Sequence, residues 1–160
     1  GGATLAAAAA GAQVTHVDAS KGMVTWAKEN AVSSGLKDAP IRWLVDDCVK
    51  FVEREIRRGN TYDAIIMDPP SYGRGPKGEI WKIEDMIHPL IKLCTKILSK
   101  DALFFLVNSY TTGLAPAVLT YMIATELKSW NGHVESQEIG LPVTESGLVL
   151  PCGASGRWER

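Results

Sequence analysis

The residues best placed to do chemistry are Asp68-Pro69-Pro70-Ser71-Tyr72, directly after an apolar run over residues 62–67. Two consecutive prolines remove two backbone donors and fix φ, so their carbonyls are held still as acceptors. The Asp68 carboxylate is a further acceptor, and Tyr72 can stack on a planar base. Asp68, Pro69, Pro70 and Tyr72 therefore read as a catalytic set able to grip and aim an exocyclic amine. Ser71, Tyr72 and Arg74 read as substrate contacts. A turn that merely ends a strand is the alternative, though it rarely needs this combination. Arg74, Lys77 and Lys82 can meet phosphates, while Glu79, Glu84 and Asp85 dilute that charge and leave a solvated segment open as the other reading.

Three other positions have the same character. Gly1-Gly2 opens a helical stretch, where small residues allow close approach and free N–H groups face an anion. Asp18-Ala19 ends a β-rich run, where a carboxylate can accept from both hydroxyls of a ribose or can cap the helix that follows. Asp46-Asp47-Cys48 ends another run. There Asp47 can accept from an adenine amino group beside a backbone N–H such as that of Cys48, or it can cap a helix. Gly1, Gly2, Asp18, Ala19, Asp47, Cys48 and Asp68 are the candidate cofactor contacts.

These residues need a scaffold, and the apolar periodicity supplies one. Residues 2–12 read as an alanine-rich helix and 14–18 as a strand. Ser20 caps a helix over 21–33, residues 41–45 form a strand, and a helix carrying Phe51, Val52 and Ile56 stops at Gly59-Asn60. Residues 62–67 form a strand, 71–82 a loop rich in Gly and charge, and 83–98 a helix. The unbroken apolar run 102–107 suits a strand buried on both faces. A helix follows over 111–130 with Pro116 in its first turn. Two strands at 134–139 and 147–150, turning around Leu141-Pro142, lead into a turn-like tail over 151–160. Strand–helix alternation means an α/β domain with a mostly parallel sheet and helices on both faces. Ligands in such sheets bind at the carboxyl ends of the strands, where all the candidates above lie. No linker or internal repeat appears, so 1–160 reads as one domain.

Composition narrows the function. Hydrophobic residues make up 46% and charged residues 22%, as in an ordinary globular domain. The net charge of −1 does not by itself make an electrostatic nucleic-acid binder. The three cysteines and three histidines are scattered without ligand spacing, so no metal site is expected. No apolar run approaches the length of a membrane span, and a reducing cytoplasm is the expected compartment.

Taken together, the anchors resemble class I S-adenosylmethionine-dependent methyltransferases, in particular the branch of bacterial large-subunit ribosomal RNA methyltransferases with D-P-P-x-F/Y. The resemblance spans nearly all of the chain. It rests on Gly1-Gly2-Ala3-Thr4-Leu5, His16-Val17-Asp18-Ala19-Ser20, Asp46-Asp47-Cys48, the run from Tyr62 to Tyr72, and the strand over 103–107 with Asn108-Ser109. It implies a Rossmann-like fold with a C-terminal antiparallel strand pair, and S-adenosylmethionine as cofactor. In such enzymes the Gly loop meets the methionine end, the acid after the second strand the ribose, the next acid the adenine, and D-P-P the target. It also implies RNA as partner, with ribosomal RNA as substrate. The family's first strand has no counterpart here, so the chain is expected to be N-terminally incomplete and not to fold stably alone.

Cytosine-5 methylation needs a cysteine nucleophile, because the ring is inert until a thiolate adds at C6. Neither Ser71-Tyr72-Gly73-Arg74 nor Asn108-Ser109-Tyr110-Thr111-Thr112 contains one, and Cys152 reads as structural. An amine or other heteroatom acceptor is therefore expected. A methyltransferase for a small molecule or protein, and a non-catalytic cofactor- or RNA-binding module, stay open. A nicotinamide dehydrogenase would share the Gly loop and Asp18 but has no use for Asp-Pro-Pro.

Overall fold

Apolar runs and helical stretches alternate in the computed structural model as they do in the sequence. The structure describes residues 1–75, 78–111 and 113–160. Two compact units emerge, Gly1–Arg58 and Gly59–Arg160. The boundary follows a helix that stops at Gly59, whose φ of 69° is cheap only for glycine.

The first unit contains α1 (Gly2–Ala9), β1 (Val14–Asp18), α2 (Lys21–Ser33), β2 (Ile41–Val45) and α3 (Cys48–Arg58). β1 and β2 pair in parallel, from Val14 opposite Ile41 to Asp18 opposite Val45. Ser20 caps α2, its Oγ accepting from the Met23 N–H at 3.4 Å. Val24, Ala27 and Ala31, spaced by three and four, form the buried stripe of α2. The stripe is small because the backbone of Gly1 lies on it: a Cβ at Gly1 would stand 2.7 Å from Ala27 Cβ. α3 buries Phe51, Val52 and Glu55. Glu55 is fully buried and is compensated by Arg58 at 2.9 Å and Arg42 at 3.9 Å.

The second unit contains β3 (Ala64–Met67), β4 (Tyr72–Arg74), β5 (Ile80–Lys82), α4 (Ile83–Thr95), β6 (Phe104–Ser109), α5 (Pro116–Glu126), β7 (His133–Pro142) and β8 (Val149–Glu159). Its main sheet has the order β3-β6-β8-β7. β3 and β6 are parallel, and β8 runs antiparallel to both β6 and β7. Phe105 and Val107 of β6, Ile91 of α4, and Leu119 and Ile123 of α5 are fully buried. α5 lies close on β8, where a Cβ at Gly156 would come within 2.8 Å of both Leu119 Cβ and Ile123 Cδ1. His88 of α4 meets Glu126 of α5 at 2.8 Å. Among the described residues, β1 has a strand partner on one edge only, and so does β3.

The expected α/β class, with parallel pairs and a C-terminal antiparallel pair, is met, and Pro116 opens α5 as expected. Four expectations need correction. Residues 71–82 are not a plain loop: β4 and β5 pair as an antiparallel hairpin. The tail over 151–160 is not turn-like but the inner part of β8, with Trp158 only 2% exposed. The closing turn of the β7–β8 hairpin falls at Val143–Leu148, where the Val143 N–H meets the Leu148 carbonyl at 2.8 Å, rather than at Leu141-Pro142. The helix expected over 111–130 covers only α5, since Gly113 at φ 90° and the proline start delay it.

Candidate functional site

In the first unit the carboxyl ends of β1 and β2 bring four candidates together. The Asp46 N–H donates to the Asp18 carbonyl at 3.0 Å, which carries the ladder one step past the strand ends. Asp18 Oδ1 accepts from the Ser20 N–H at 2.6 Å, so this carboxylate is held at the start of α2. Asp47 caps α3, its Oδ1 accepting from the Lys50 N–H at 2.9 Å. Asp46 accepts from the Asp47 N–H and pairs with Arg54 of α3. Arg54 and Arg58 of α3 are thus paired, with Asp46 and Glu55 respectively. The capping and ligand-holding readings of Asp18 and Asp47 are compatible, since in each case the recorded bonds engage one carboxylate oxygen.

Cys48 is the first residue of α3, and its Sγ faces the Val17 carbonyl at 3.9 Å. Burial, then the charges of Asp47, Asp18 and Asp46, push its thiol up to about 11. The thiol therefore stays neutral at physiological pH, beside carboxylates that accept from hydroxyl and amine donors. Ala19 is exposed between β1 and α2. Gly1 is the N-cap of α1, and Gly2 is its first residue, with open space around its Cα. Under this helix, Thr4 Oγ1 and His16 Nδ1 lie 2.8 Å apart. Burial lowers the His16 pKa, and its buried Nε2 has no partner among the described residues.

In the second unit Asp68, Pro69 and Pro70 leave the carboxyl end of β3. Asp68 retains an exposed side, yet burial still pushes its carboxyl above the ordinary range. The Pro70 carbonyl accepts from the Trp81 indole N–H at 2.6 Å. Ser71 is tied twice: its carbonyl accepts from the Ile83 N–H at 3.1 Å, and its Oγ lies 2.6 Å from Thr111 Oγ1. Tyr72, half exposed, has its hydroxyl oxygen bound by Arg74 Nε at 3.0 Å. Tyr72 and Arg74 alternate on β4, with Lys82 and Ile80 opposite them on β5, so all four share one face of the hairpin. Gly73 and Trp81 take the other face, toward Pro70. Lys77 lies outside the described residues.

Three contributors were not foreseen. Trp81 and Thr111 hold the Asp-Pro-Pro turn, and the sequence offered only an aromatic and a hydroxyl in otherwise polar stretches as signals. Tyr110, just past β6, is the third. Burial raises its phenol pKa, and the charges of Asp68 and Cys152 raise it further, which puts it in their electrostatic neighbourhood. Cys152 lies in β8, its Sγ donating to the Ile139 carbonyl at 3.4 Å. Among the described residues no group of acids, histidines or cysteines could hold a metal ion, and no helix is long and apolar enough to cross a membrane.

No protein-family model matches the chain. It is 32% identical over 99 residues to the ribosomal RNA large subunit methyltransferase K/L of Shewanella frigidimarina, a match covering 58% of this chain and 14% of that protein. It is 29% identical over 111 residues to the ribosomal RNA large subunit methyltransferase K of Neisseria meningitidis, covering 68% of this chain and 31% of that protein. The crystal structure of the SAM-dependent methyltransferase from Agrobacterium tumefaciens superposes with a TM-score of 0.89 at 42% identity, over 99% of this chain and 52% of that one. The SAH complex of SMU.776 superposes at 0.75 with 22% identity, over 96% of this chain and 41% of that one, and shows a shared fold. The chain thus has the Rossmann-like fold of the S-adenosylmethionine-dependent methyltransferases. It spans about half of the Agrobacterium structure and less than a third of these two curated relatives.

Proposed function

We propose that this chain is a catalytic domain that transfers a methyl group from S-adenosylmethionine to a nucleobase of ribosomal RNA, at an exocyclic amine or another heteroatom. The observation that carries this is the held Asp68-Pro69-Pro70 turn at the end of β3, on a fold shared at 42% identity with a SAM-dependent methyltransferase. The names of the relatives from Shewanella and Neisseria support the choice of ribosomal RNA.

The first unit's donor set fits the cofactor. Its carboxylates accept from hydroxyl and amine donors, and the neutral Cys48 thiol adds no charge of its own. Asp18 would hold the ribose hydroxyls, Asp47 with the Cys48 N–H the adenine edge, and Gly1 and Gly2 the methionine end, with Ala19 beside Asp18. When bound, S-adenosylmethionine supplies a methyl on a sulfonium, already activated for displacement.

The protein's part is alignment and exclusion of water. Asp68 and the Pro69 carbonyl accept the two N–H bonds of the target amine, which leaves the nitrogen lone pair pointing outward. Tyr72 stacks on the base with its hydroxyl fixed by Arg74, Ser71 lies beside them, and Arg74 and Lys82 face phosphate. The deciding experiment is mass spectrometry of ribosomal RNA from cells lacking the gene: one methylated nucleotide should disappear. An unchanged modification map overturns the RNA reading. It would then favour a small-molecule or protein acceptor.

A further inference from the structure

We infer that Trp81 is a positioning residue for the acceptor: its indole N–H occupies the Pro70 carbonyl and so holds the Asp68-Pro69-Pro70 turn in its working shape. The inference rests on the proposed methyl transfer and goes beyond it by assigning a residue far along the chain to the acceptor end.

A tandem-proline turn is stiff in φ but has lost the N–H groups that would tie it to its neighbours. Something else must fix where it points. Here the tie comes from the side. The Trp81 Nε1 donates to the Pro70 carbonyl at 2.6 Å, across eleven residues of sequence. The β4–β5 hairpin brings it there, with Trp81 directly opposite Gly73. Gly73 lies on the same face: a Cβ there would make ordinary van der Waals contact with Trp81 Cβ at 3.7 Å and Pro70 Cγ at 3.8 Å, so Trp81 and Pro70 are close neighbours across the hairpin. The hairpin is itself anchored, because β5 runs straight into α4, where Ile83 and Ile87 are 1% and 3% exposed. The Ile83 N–H also donates to the Ser71 carbonyl at 3.1 Å. Thus the turn is tied to α4 on both sides of the hairpin.

The bond also selects. Of the two proline carbonyls, Pro70's is taken by Trp81, and Pro69's, with no donor among the described residues, is left to accept from the substrate beside Asp68. Loss of the indole N–H frees Pro70 as a competing acceptor and lets the turn rotate, so the amine is misaimed. Small misplacements of a reacting group cost large factors in rate.

The test is Trp81→Phe, which keeps an aromatic ring and removes the donor. In the intact protein, kcat for methyl transfer to ribosomal RNA should fall about tenfold or more. Cofactor Kd should stay within about twofold, and the thermal midpoint should stay close to that of the parent. A purely structural role predicts the opposite split, with lost stability and unchanged kcat in the folded fraction. Unchanged kcat in Trp81→Phe overturns the inference. A second readout does not depend on the substrate: the Trp81 indole proton, identified in ¹⁵N spectra by its loss in the variant, should exchange slowly with solvent. Rapid exchange overturns the inference too. If the parent protein leaves ribosomal RNA unmethylated while the indole proton is protected, the RNA reading fails and the clamp on the turn is upheld.

Discussion

At the scale of single residues, Asp68 and Cys152 make opposing statements about the reaction. If Asp68 aims the acceptor, Asp68→Ala removes transfer by about a hundredfold or more, the usual cost of losing a preorganised polar contact. Cofactor affinity should stay within a few-fold, and isothermal titration beside a turnover assay separates the two; a collapse of affinity would move Asp68 to the cofactor. The carboxylate must be ionised to accept from both directions. Burial pushes its pKa upward, so the acid limb of kcat/KM should lie above the ordinary aspartate range, with activity lost as pH falls through it. Asp68→Asn should abolish that limb.

Cys152 of β8 shares with Asp68 the electrostatic neighbourhood of Tyr110, and its Sγ donates to the Ile139 carbonyl. Cys152→Ala should therefore leave transfer within about twofold in the same assay. Its loss of activity would require a thiolate adding to a pyrimidine ring, and the heteroatom reading would fall.

At the scale of elements, what could be read in the sequence depended on length and on the use of glycine. β3 and β6 stood out because four or more apolar residues run together, and β1 and β2 because short β-rich runs end at Asp18 and Asp46. β4 and β5 did not, because three residues each, Tyr-Gly-Arg and Ile-Trp-Lys, are too short to show a period, with Gly73 inside β4 and Gly75 and Gly78 between the two strands. β8 hid behind Pro151, Gly153 and Gly156, which look like turn residues. Their reason is close packing instead. Gly156 lets α5 sit on the strand, and Gly153 lets the Ser109 carbonyl approach its backbone. Gly156→Ala should cost roughly 1–3 kcal/mol, the usual range for overpacking, measured by urea titration followed through Trp158. Site residues followed the same rule. Asp18, Asp47 and Asp-Pro-Pro were visible because strand ends are short-range features. Trp81 and Thr111 were not, because they reach the turn only through the hairpin and the loop after β6.

At the scale of the whole chain, the division at Arg58 and Gly59 has a measurable side. Each unit has its own buried residues: Val24, Ala27, Phe51 and Val52 in the first, Phe105, Val107, Leu119 and Ile123 in the second. Unfolding of the intact protein should therefore depart from a single two-state transition. Trp26 and Trp43 report on the first unit, and Trp81, Trp130 and Trp158 on the second. Variants with tryptophans in one unit alone should give two midpoints in denaturant; coincident midpoints would show one cooperative body.

The order β3-β6-β8-β7 sets a timetable for synthesis. β6 and β7 leave the ribosome before the strand that lies between them. Until β8 emerges, β6 has β3 on one edge and nothing on the other, while β7 waits as a lone ribbon. The buried Trp158, near the end of β8, then enters the core against residues made long before it. A nascent chain stalled around residue 145 would thus expose the edge of β6, whose Phe105 and Val107 are fully buried in the finished fold, a natural mark for chaperones and proteases.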